Sequence, residues 1–366
     1  AQCNKILTGL SFDILKEDDA SITVSPPHFR VDVALVEDVI EEIVRLYGYE
    51  NIASKETIPV SFNRLGGDFQ RLHSVRKKLS AAGLTEFVHY GMVAEAWLGY
   101  FEKEKAQMLA NPVTPEMAAL RPSLFCEMWD SFVANYLEGK TEQMNFEVGN
   151  VFYDGVQRLK LGLLLSGNVF EENWKKIAAE SDFYLFKGIL EKCVLKDVGH
   201  SFKKDVRPPP GYLLSCFGIF SGDALLGQIG VVAPALALKS GIRKAVHWAE
   251  LSIDELFAIE RRERKFESYS FYPATSRDFS LIVPTDVHWE TLHGSMREYF
   301  KDQRILDSVR LLDVFRNVKD PAHVGLTVRI TFRSPDKTFD KEEVKAIHDK
   351  FLRFLLEKHS IKLREQ

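Results

Sequence analysis

Four carboxylates around the start of one helical segment have the residue types and spacing of a divalent-cation site. Asp32 precedes the segment, and Asp38, Glu41 and Glu42 lie within it. At 100° per residue the last three fall within about 100° of one another on the helix surface, together with Arg45. Carboxylate oxygens are ligands that Mg²⁺ prefers, so the set predicts a magnesium site. The alternative stays open that these side chains complement the positive end of the helix and pair with Arg45.

The opposite side of the same helix is apolar. It is formed by Val36, Val39, Ile40, Ile43, Val44 and Tyr47. Because apolar side chains repeated at the helical period normally pack against other elements, we expect this side to be buried and the acidic side to be exposed.

The sequence lacks the patterns of other common catalytic sites. It contains no G-x-S-x-G, no H-E-x-x-H and no P-loop. The four cysteines, at positions 3, 126, 193 and 216, are too far apart for a zinc ribbon or a disulfide framework and favour a reducing compartment. We expect the short glycine pair in Gly227–Gly230 to form a hairpin, and His247 and Trp248 to pack in a core.

Charge is distributed unevenly along the chain. The net charge of −4 over 366 residues gives no reason to expect a nucleic-acid-binding protein, but residues 264–366 carry 19 Lys and Arg against 16 Asp and Glu. Arginines and aromatic residues alternate there, which predicts a sheet that holds RNA phosphates and stacks unpaired bases. A solvated face with its aromatics in the core is the alternative. The residues concerned are Phe271, Tyr272, Phe279 and Phe315 with Arg277, Arg310, Arg316, Arg329 and Arg333.

Hydrophobic periodicity divides the chain into three regions, residues 1–56, 57–263 and 264–366. The first combines an extended segment, Ser21–Ser25, with a helix at about Leu35–Tyr47, which predicts a small α+β module. The second mixes helices and strands and predicts a larger α+β domain built on a sheet. Its predicted helices are Phe69–Ala82, Leu124–Leu137 and Asp182–Lys196, and its predicted strands are Met144–Phe152, Leu159–Leu165, Tyr212–Phe220 and Ala224–Val232.

The third region follows a charged stretch, Glu260–Phe266, that we expect to be helical. Its predicted elements alternate as βαββαβ: Phe279–Val283, His288–Phe300, Ile305–Phe315, Val324–Arg333, Lys341–Glu357 and Ile361–Leu363. Two βαβ-like halves predict a ferredoxin-like fold with two helices on one face of a sheet. Asp340 and Glu343 predict a capping box at the start of the second helix.

The sequence gives no sign of a membrane segment or a leader peptide. The longest apolar run, Ile229–Leu238, contains Pro234 and is well short of the roughly 20 residues needed to span a bilayer. The chain begins at Ala1 without a methionine or a basic and apolar leader. We therefore expect a fragment of a longer protein.

Several long motifs, in order, resemble the bacterial phenylalanine–tRNA ligase beta-subunit family. They are Pro26–Asp32 with Val36–Ile52, Asn111–Glu116 with Leu120–Leu124, Phe146–Phe152, Tyr272–Leu281 and Thr338–Val344. The resemblance covers essentially the whole chain. It implies the following organisation: a truncated small α+β module, then a class II synthetase-like antiparallel sheet module, then a ferredoxin-like anticodon-binding domain.

The resemblance also implies which residues bind metal and which chemistry is missing. Asp32, Asp38, Glu41 and Glu42 match the set that the family assigns to Mg²⁺. Tyr153 stands where class II ligases carry an arginine for the ATP α-phosphate, and no glycine-rich run ending in arginine occurs. Without these cations the charge of a triphosphate has no clamp. We therefore expect the chain alone to be inactive in adenylation.

The partners implied by the resemblance are a catalytic alpha subunit, in an (αβ)₂ heterotetramer that binds ATP and phenylalanine, and tRNA-Phe in the cytoplasm. The candidate RNA-binding residues are Tyr272, Arg277, Asp278 and Arg329. Asp278 could equally anchor Arg277. The editing domain of the family is absent from the sequence, so hydrolysis of mischarged tyrosyl-tRNA is not assigned to it. Pro122 and the residues that follow it also depart from the family pattern, so the start of the next helix could differ.

Two other interpretations stay open. The chain could be a self-contained class II ligase, against which the missing glycine-rich motif argues. It could also be a synthetase-derived RNA-binding or interaction protein without a role in aminoacylation.

Overall fold

The computed structural model describes residues 2–55, 67–170, 174–175, 179–204, 210–260, 266, 268–301, 303–317 and 320–363. The chain divides into two compact units, Ala1–Glu260 and Arg261–Gln366. Each unit is mixed α+β, with sheets that are largely antiparallel. The further division of the first unit near residue 56 stays a prediction.

The first unit begins with a small helical and hairpin segment. Its elements are α1 (Gln2–Gly9), β1 (Asp13–Glu17), β2 (Ile22–Ser25) and α2 (Val36–Tyr47). β1 and β2 form an antiparallel pair, as the extended pattern at Ser21–Ser25 predicts. α2 begins one residue after Leu35 and ends before Gly48, whose φ of 96° suits glycine.

The rest of the first unit is built on a seven-stranded sheet. Its helices are α3 (Gly67–Ala81), α4 (Phe125–Leu137), α5 (Phe183–Cys193), α6 (Pro234–Lys239) and α7 (Ile253–Ala258). Its strands are β3 (Thr85–Glu86), β4 (Met92–Val93), β5 (Ala119–Leu120), β6 (Gln143–Tyr153), β7 (Val156–Ser166), β8 (Asn168–Phe170), β9 (Ala179–Glu180), β10 (Ser201–Lys204), β11 (Leu213–Ser221), β12 (Ala224–Val232) and β13 (Val246–Ser252). The predicted helices and strands agree with these to within a few residues at each end.

The strand order of the large sheet is β10-β11-β12-β13-β7-β6-β3. All neighbours are antiparallel except β3 and β6, which are parallel. Period-2 alternation gives each face its own core: Leu163 packs with α3 and α5, and Leu164 packs with α4 on the other face. His247 and Trp248 are both buried, as predicted.

The expected hairpin at Gly227–Gly230 is wrong. Both glycines lie within β12, and the turn before that strand contains Gly222. A Cβ at Gly227 would overlap the carbonyl oxygen of Glu250, and one at Gly230 would overlap that of Ser215. These glycines therefore let neighbouring strands approach closely, which a local sequence pattern does not distinguish from a turn.

The second unit has the predicted βαββαβ order. Its elements are β14 (Thr275–Pro284), α8 (Trp289–Tyr299), β15 (Leu306–Arg316), β16 (His323–Phe332), α9 (Lys341–His359) and β17 (Lys362–Leu363). The four strands form an antiparallel sheet in the order β15-β16-β14-β17. The capping box of Asp340 and Glu343 at α9 is confirmed. Residues 261–265 of the predicted charged helix lie outside the described residues.

One face of the second sheet packs against the two helices. Val328 and Ile330 of β16 are buried with Leu292 of α8 and Phe351 of α9. The residues between them in β16, such as Arg329, lie on the opposite face. Nowhere in the described chain is a helix long and apolar enough to cross a membrane.

Candidate metal and nucleic-acid sites

Glu42 of α2 is engaged by two arginines. Arg30 donates from Nη2 to Oε1 at 2.7 Å, and Arg45 donates to Oε2 at 2.6 Å. These hydrogen bonds, that from Arg30 first, lower the pKa of Glu42 to about 2. The residue is 7% exposed, so the carboxylate faces the protein. The predicted pairing of Arg45 with the acidic face is thereby confirmed for Glu42.

Two of the other three carboxylates of the predicted magnesium set, Asp32 and Asp38, have partners of their own, and Glu41 is exposed. Arg30 donates from Nε and Nη2 to Asp32, at 2.9 and 2.7 Å. Asp38 accepts the backbone N–H groups of Ala34 and Leu35, and these bonds lower its pKa. No group of three His, Cys, Asp or Glu side chains in the described residues is placed to hold a metal. Arginines and backbone N–H groups therefore occupy three of the four carboxylates, and the role of the set as magnesium ligands stays a prediction.

The orientation of α2 differs from expectation. Half of the apolar side expected to be buried is exposed, with Val36 at 72%, Ile40 at 52% and Tyr47 at 40% exposure, and its other three residues are partly buried. The acidic side contributes the buried Glu42 instead. On the acidic side Arg30 pairs with Glu42, a contact between residues 12 apart that helical periodicity alone does not show.

A buried ionic cluster lies on the α4 face of the large sheet, centred on Arg121. Nη1 of this arginine donates to Glu127 at 2.6 Å and to Glu147 at 2.8 Å, and Nε donates to the carbonyl oxygen of Asn150 at 2.8 Å. Arg121 is 3% exposed and Glu147 is 2% exposed. Burial raises the pKa of Glu127 to about 7, against the opposing effect of Arg121. A Cβ at Gly149 would overlap the guanidinium, so any larger residue there would have to displace Arg121.

His89 extends this cluster to α4. Its Nδ1 lies 2.6 Å from Oε2 of Glu147, and its Nε2 lies 2.7 Å from Oγ of Ser131. Trp97 donates from Nε1 to the nearby Asp130 at 2.9 Å. Ser131, His89 and Glu147 are connected in the order of a hydrolytic triad. Glu147 is also bound by Arg121, however, and the contacts together join β6 to α4. No local sequence pattern predicts this cluster, because its members are far apart along the chain.

Aromatic rings fill the same face of the sheet. The ring of Phe125 stacks on Tyr212 at 4.2 Å between centroids and on Trp129 at 5.6 Å. Trp248 meets it edge-on at 5.1 Å. All four side chains are at most 2% exposed. This part of the sheet therefore has a packed core.

The start of α4 and the end of β6 are occupied by contacts within the protein. Glu250 accepts a hydrogen bond from Oγ of Ser123 at 2.8 Å and from the backbone N–H of Leu124 at 2.9 Å. Tyr153, which stands where class II ligases carry an ATP-binding arginine, accepts the backbone N–H of Glu102 through its hydroxyl at 3.3 Å. Glu250 and Tyr153 therefore hold neighbouring backbone segments in place.

The open face of the second sheet carries Arg329 and Asp278. They lie opposite one another in β16 and β14 and form a bidentate ion pair, with both N–O distances 2.7 Å. Arg277 falls on the other face with Phe279 and donates to the carbonyl oxygen of Ser276. The alternative that Asp278 anchors Arg277 is therefore wrong, since Asp278 binds Arg329.

The remaining aromatic and basic candidates separate into exposed and buried groups. Phe279 is in the core at 1% exposure, whereas Phe271 is 92% exposed and Tyr272 38% exposed. Arg310 lies opposite Arg329 in the register of β15 and β16, and so on the open face. Arg333 donates to the carbonyl oxygen of Tyr272 at 3.4 Å. Contact of these residues with RNA stays a prediction.

Three family models match the chain in succession. Residues 1–49 match the tRNA synthetase B5 domain, residues 54–253 the phenylalanyl tRNA synthetase beta chain CLM domain, and residues 270–364 the ferredoxin-fold anticodon binding domain. The second match alone covers more than half of the 366 residues.

Curated relatives match along nearly the whole chain. A phenylalanine–tRNA ligase beta subunit from Synechococcus elongatus is 30% identical over 384 residues, and one from Trichormus variabilis is 29% identical over 377 residues. Each alignment covers 98% of this chain and 45% of the relative, so the chain spans less than half of their length. Pyrrolysyl-tRNA synthetase from Desulfitobacterium hafniense, at 12% identity and a TM-score of 0.41 over 52% of this chain and 68% of that one, is too distant to support a conclusion.

Proposed function

The chain belongs to the phenylalanyl-tRNA synthetase beta chain family, and from that premise we propose that it is a non-catalytic part of a phenylalanine–tRNA ligase. In this proposal it scaffolds a catalytic alpha subunit and binds tRNA-Phe for the ATP-dependent attachment of phenylalanine. The observation that carries the proposal is the packed, internally neutralised face of the seven-stranded sheet in a chain of this family.

The contacts of Arg121 support the absence of catalysis by the chain itself. Stabilising the charge that develops during adenylation requires cations that point into an open site. Arg121 instead points at two carboxylates and is 3% exposed. The neighbouring space is filled by Phe125 and Tyr212.

The relatives are named beta subunits, which implies an alpha-subunit partner and tRNA for those proteins. For this chain we propose the same partners, an (αβ)₂ heterotetramer and a cytoplasmic location. We also propose Mg²⁺ as a cofactor, as the family resemblance implies. Asp32, Asp38, Glu41 and Glu42 stay its predicted ligands, with Arg30 placed to compete for two of them.

The C-terminal unit is the proposed tRNA-binding part. Its open sheet face presents the bidentate pair of Asp278 and Arg329 beside Arg310, with Tyr272 at the end of the sheet. Arginine planes and exposed aromatic rings are the groups that hold unpaired bases and phosphates. Arg277, which lies on the other face, is the weakest of the predicted contacts.

The experiment is co-expression of the chain with the alpha subunit from the same source, followed by gel filtration and phenylalanine-dependent ATP–pyrophosphate exchange. We expect co-elution, with exchange by the complex and none by the chain alone. Exchange by the isolated chain would identify a self-contained ligase. Failure to co-elute would exclude the scaffold and favour an RNA-binding protein without a role in aminoacylation.

A further inference from the structure

A groove of about 510 Å³ lies at the end of α8 in the second unit. Its lining residues are Arg297, Glu298, Phe300, Lys301, Arg304 and Leu306. The three cations are exposed, while Phe300, at 2% exposure, forms the floor. The groove is therefore a basic surface over an apolar base.

The cations of the groove are not neutralised by the carboxylates described around them. Arg297, Lys301 and Arg304 make no ion pair with any described residue. The lining carboxylate, Glu298, accepts from Lys358 at 3.3 Å, which brings a further positive charge to it. Asp302, which follows Lys301 in the sequence, lies outside the described residues.

The backbone that carries these cations is held at both ends. After α8, the N–H of Lys301 donates to the carbonyl oxygen of Glu298, and the N–H of Gln303 donates to that of Phe300. On the far side, Ile305 accepts the N–H of Arg333 of the sheet. Arg304 has a φ of 51°, in the left-handed region that residues with a Cβ adopt uncommonly. The turn therefore presents its cations from a defined framework.

Helix polarity explains only part of this charge. Cations in the last turn of a helix interact favourably with its negative end, which accounts for Arg297 in α8. Lys301 and Arg304 lie beyond Tyr299, where the helix ends, and Arg304 follows the turn. A structural role in the helix does not require them.

We propose that this groove binds the phosphodiester backbone of RNA, at a surface separate from the open sheet face with its pair of Asp278 and Arg329. This inference rests on the proposed function, because the RNA is taken to be the tRNA-Phe proposed there. No exposed aromatic ring lines the groove among the described residues, and its three cations suit phosphates, whose contacts are independent of base sequence.

The test is the salt dependence of tRNA-Phe binding by the full 366-residue chain, measured by fluorescence anisotropy. The groove variant carries R297A, K301A and R304A together. Each phosphate contact contributes roughly 0.7–0.9 to the slope of log K against log salt, so we expect the slope to fall by about 2. Affinity at low salt should fall roughly tenfold, and equally for an unrelated tRNA.

A matched control removes the same charge elsewhere on the unit. Lys345, Lys350 and Arg353 are exposed cations of α9, beside Asp349. Their triple alanine variant should keep the slope of the original chain. A double variant with R297K and R304K retains the charges of the groove and should also keep the slope of the original chain. It therefore distinguishes an effect of lost charge from an effect of lost folding.

Three outcomes overturn the proposal: an unchanged slope in the groove variant, an equal loss in the α9 control, or no tRNA binding by the original chain. The first two leave the ligase function intact, since assembly with the alpha subunit and pyrophosphate exchange are measured independently. A loss confined to the groove variant supports the groove even if the chain fails to assemble with an alpha subunit.

Discussion

Replacing Arg121 with methionine should destabilise the first unit by about 3–5 kcal/mol, the range for removing one partner of a buried ion pair. The guanidinium is 3% exposed and binds Glu127 and Glu147, of which the second is itself 2% exposed. Methionine fills much of the same volume but leaves two carboxylates without their cation. His89 then remains as the neighbour of Glu147.

The loss should depend on pH. Burial raises the pKa of Glu147, but the hydrogen bond from His89 and the charge of Arg121 outweigh it, so the pKa lies below its ordinary value. A carboxyl group lowered in this way stabilises the fold above its unfolded pKa, and the contribution is lost as the pH falls through the folded pKa. Without Arg121 this contribution shrinks. The variant should therefore be most impaired near neutral pH and closer to the original chain near about pH 4.

The assay is urea unfolding followed by tryptophan fluorescence, in chains that also carry W289F. Trp289 is the tryptophan of the second unit, so the signal then reports on the first. The matched control is Arg76→Met, which removes an arginine from a pair with Glu86 of similar length, 2.7 Å, whose side chains are 37% and 31% exposed. Exposed pairs contribute at most about 1 kcal/mol. If the two variants lose the same stability, burial of the Arg121 cluster does not have the consequence argued for it.

Three further predictions concern other residues. Gly149→Ala should cost about 1–3 kcal/mol in the same urea assay because its methyl group overlaps Arg121. The cost should shrink in the Arg121→Met background, where only the tight contacts to Glu147 and Leu124 remain, and an undiminished cost there would place the clash elsewhere. Arg30→Ala frees the two carboxylates to which it donates, so Mg²⁺ binding measured by calorimetry should strengthen several-fold; unchanged heats would leave these carboxylates as ion-pair and helix-capping groups only. Asp278→Ala releases Arg329 on the open face, so the salt slope of tRNA-Phe binding should steepen by about 1, whereas a fall in affinity at constant slope would assign Asp278 itself to a base contact.

Local patterns in the sequence predicted the elements well, because helical and strand periods are short-range properties. The apolar alternation of β16 and the capping box of α9 both follow from residues within one or two turns of each other. The same locality misled the interpretation of Gly227–Gly230. A glycine in a turn and a glycine beneath a neighbouring strand have the same sequence, and only the pairing of β12 with β11 and β13 distinguishes them.

The buried ionic cluster could not be predicted for the opposite reason. Glu147 is 26 residues from Arg121 and 58 from His89, and His89 is 42 from Ser131. No periodicity links positions that meet only when the sheet and α4 assemble. The orientation of α2 failed in the same way, since Arg30 reaches Glu42 from 12 residues away. Local sequence patterns are least informative about charged side chains whose partners lie far away along the chain.

The start of α4 gives a physical reason to expect no ATP chemistry at this face of the sheet. A helix N-terminus attracts phosphate because its first N–H groups are unpaired within the helix. At α4 one of those positions is filled from within: Glu250 accepts the N–H of Leu124 and the hydroxyl of Ser123. The nearby cation, Arg121, is bound by Glu127 and Glu147. A triphosphate would have to displace three carboxylates, of which Glu147 is only 2% exposed, which is why we expect pyrophosphate exchange to require the alpha subunit.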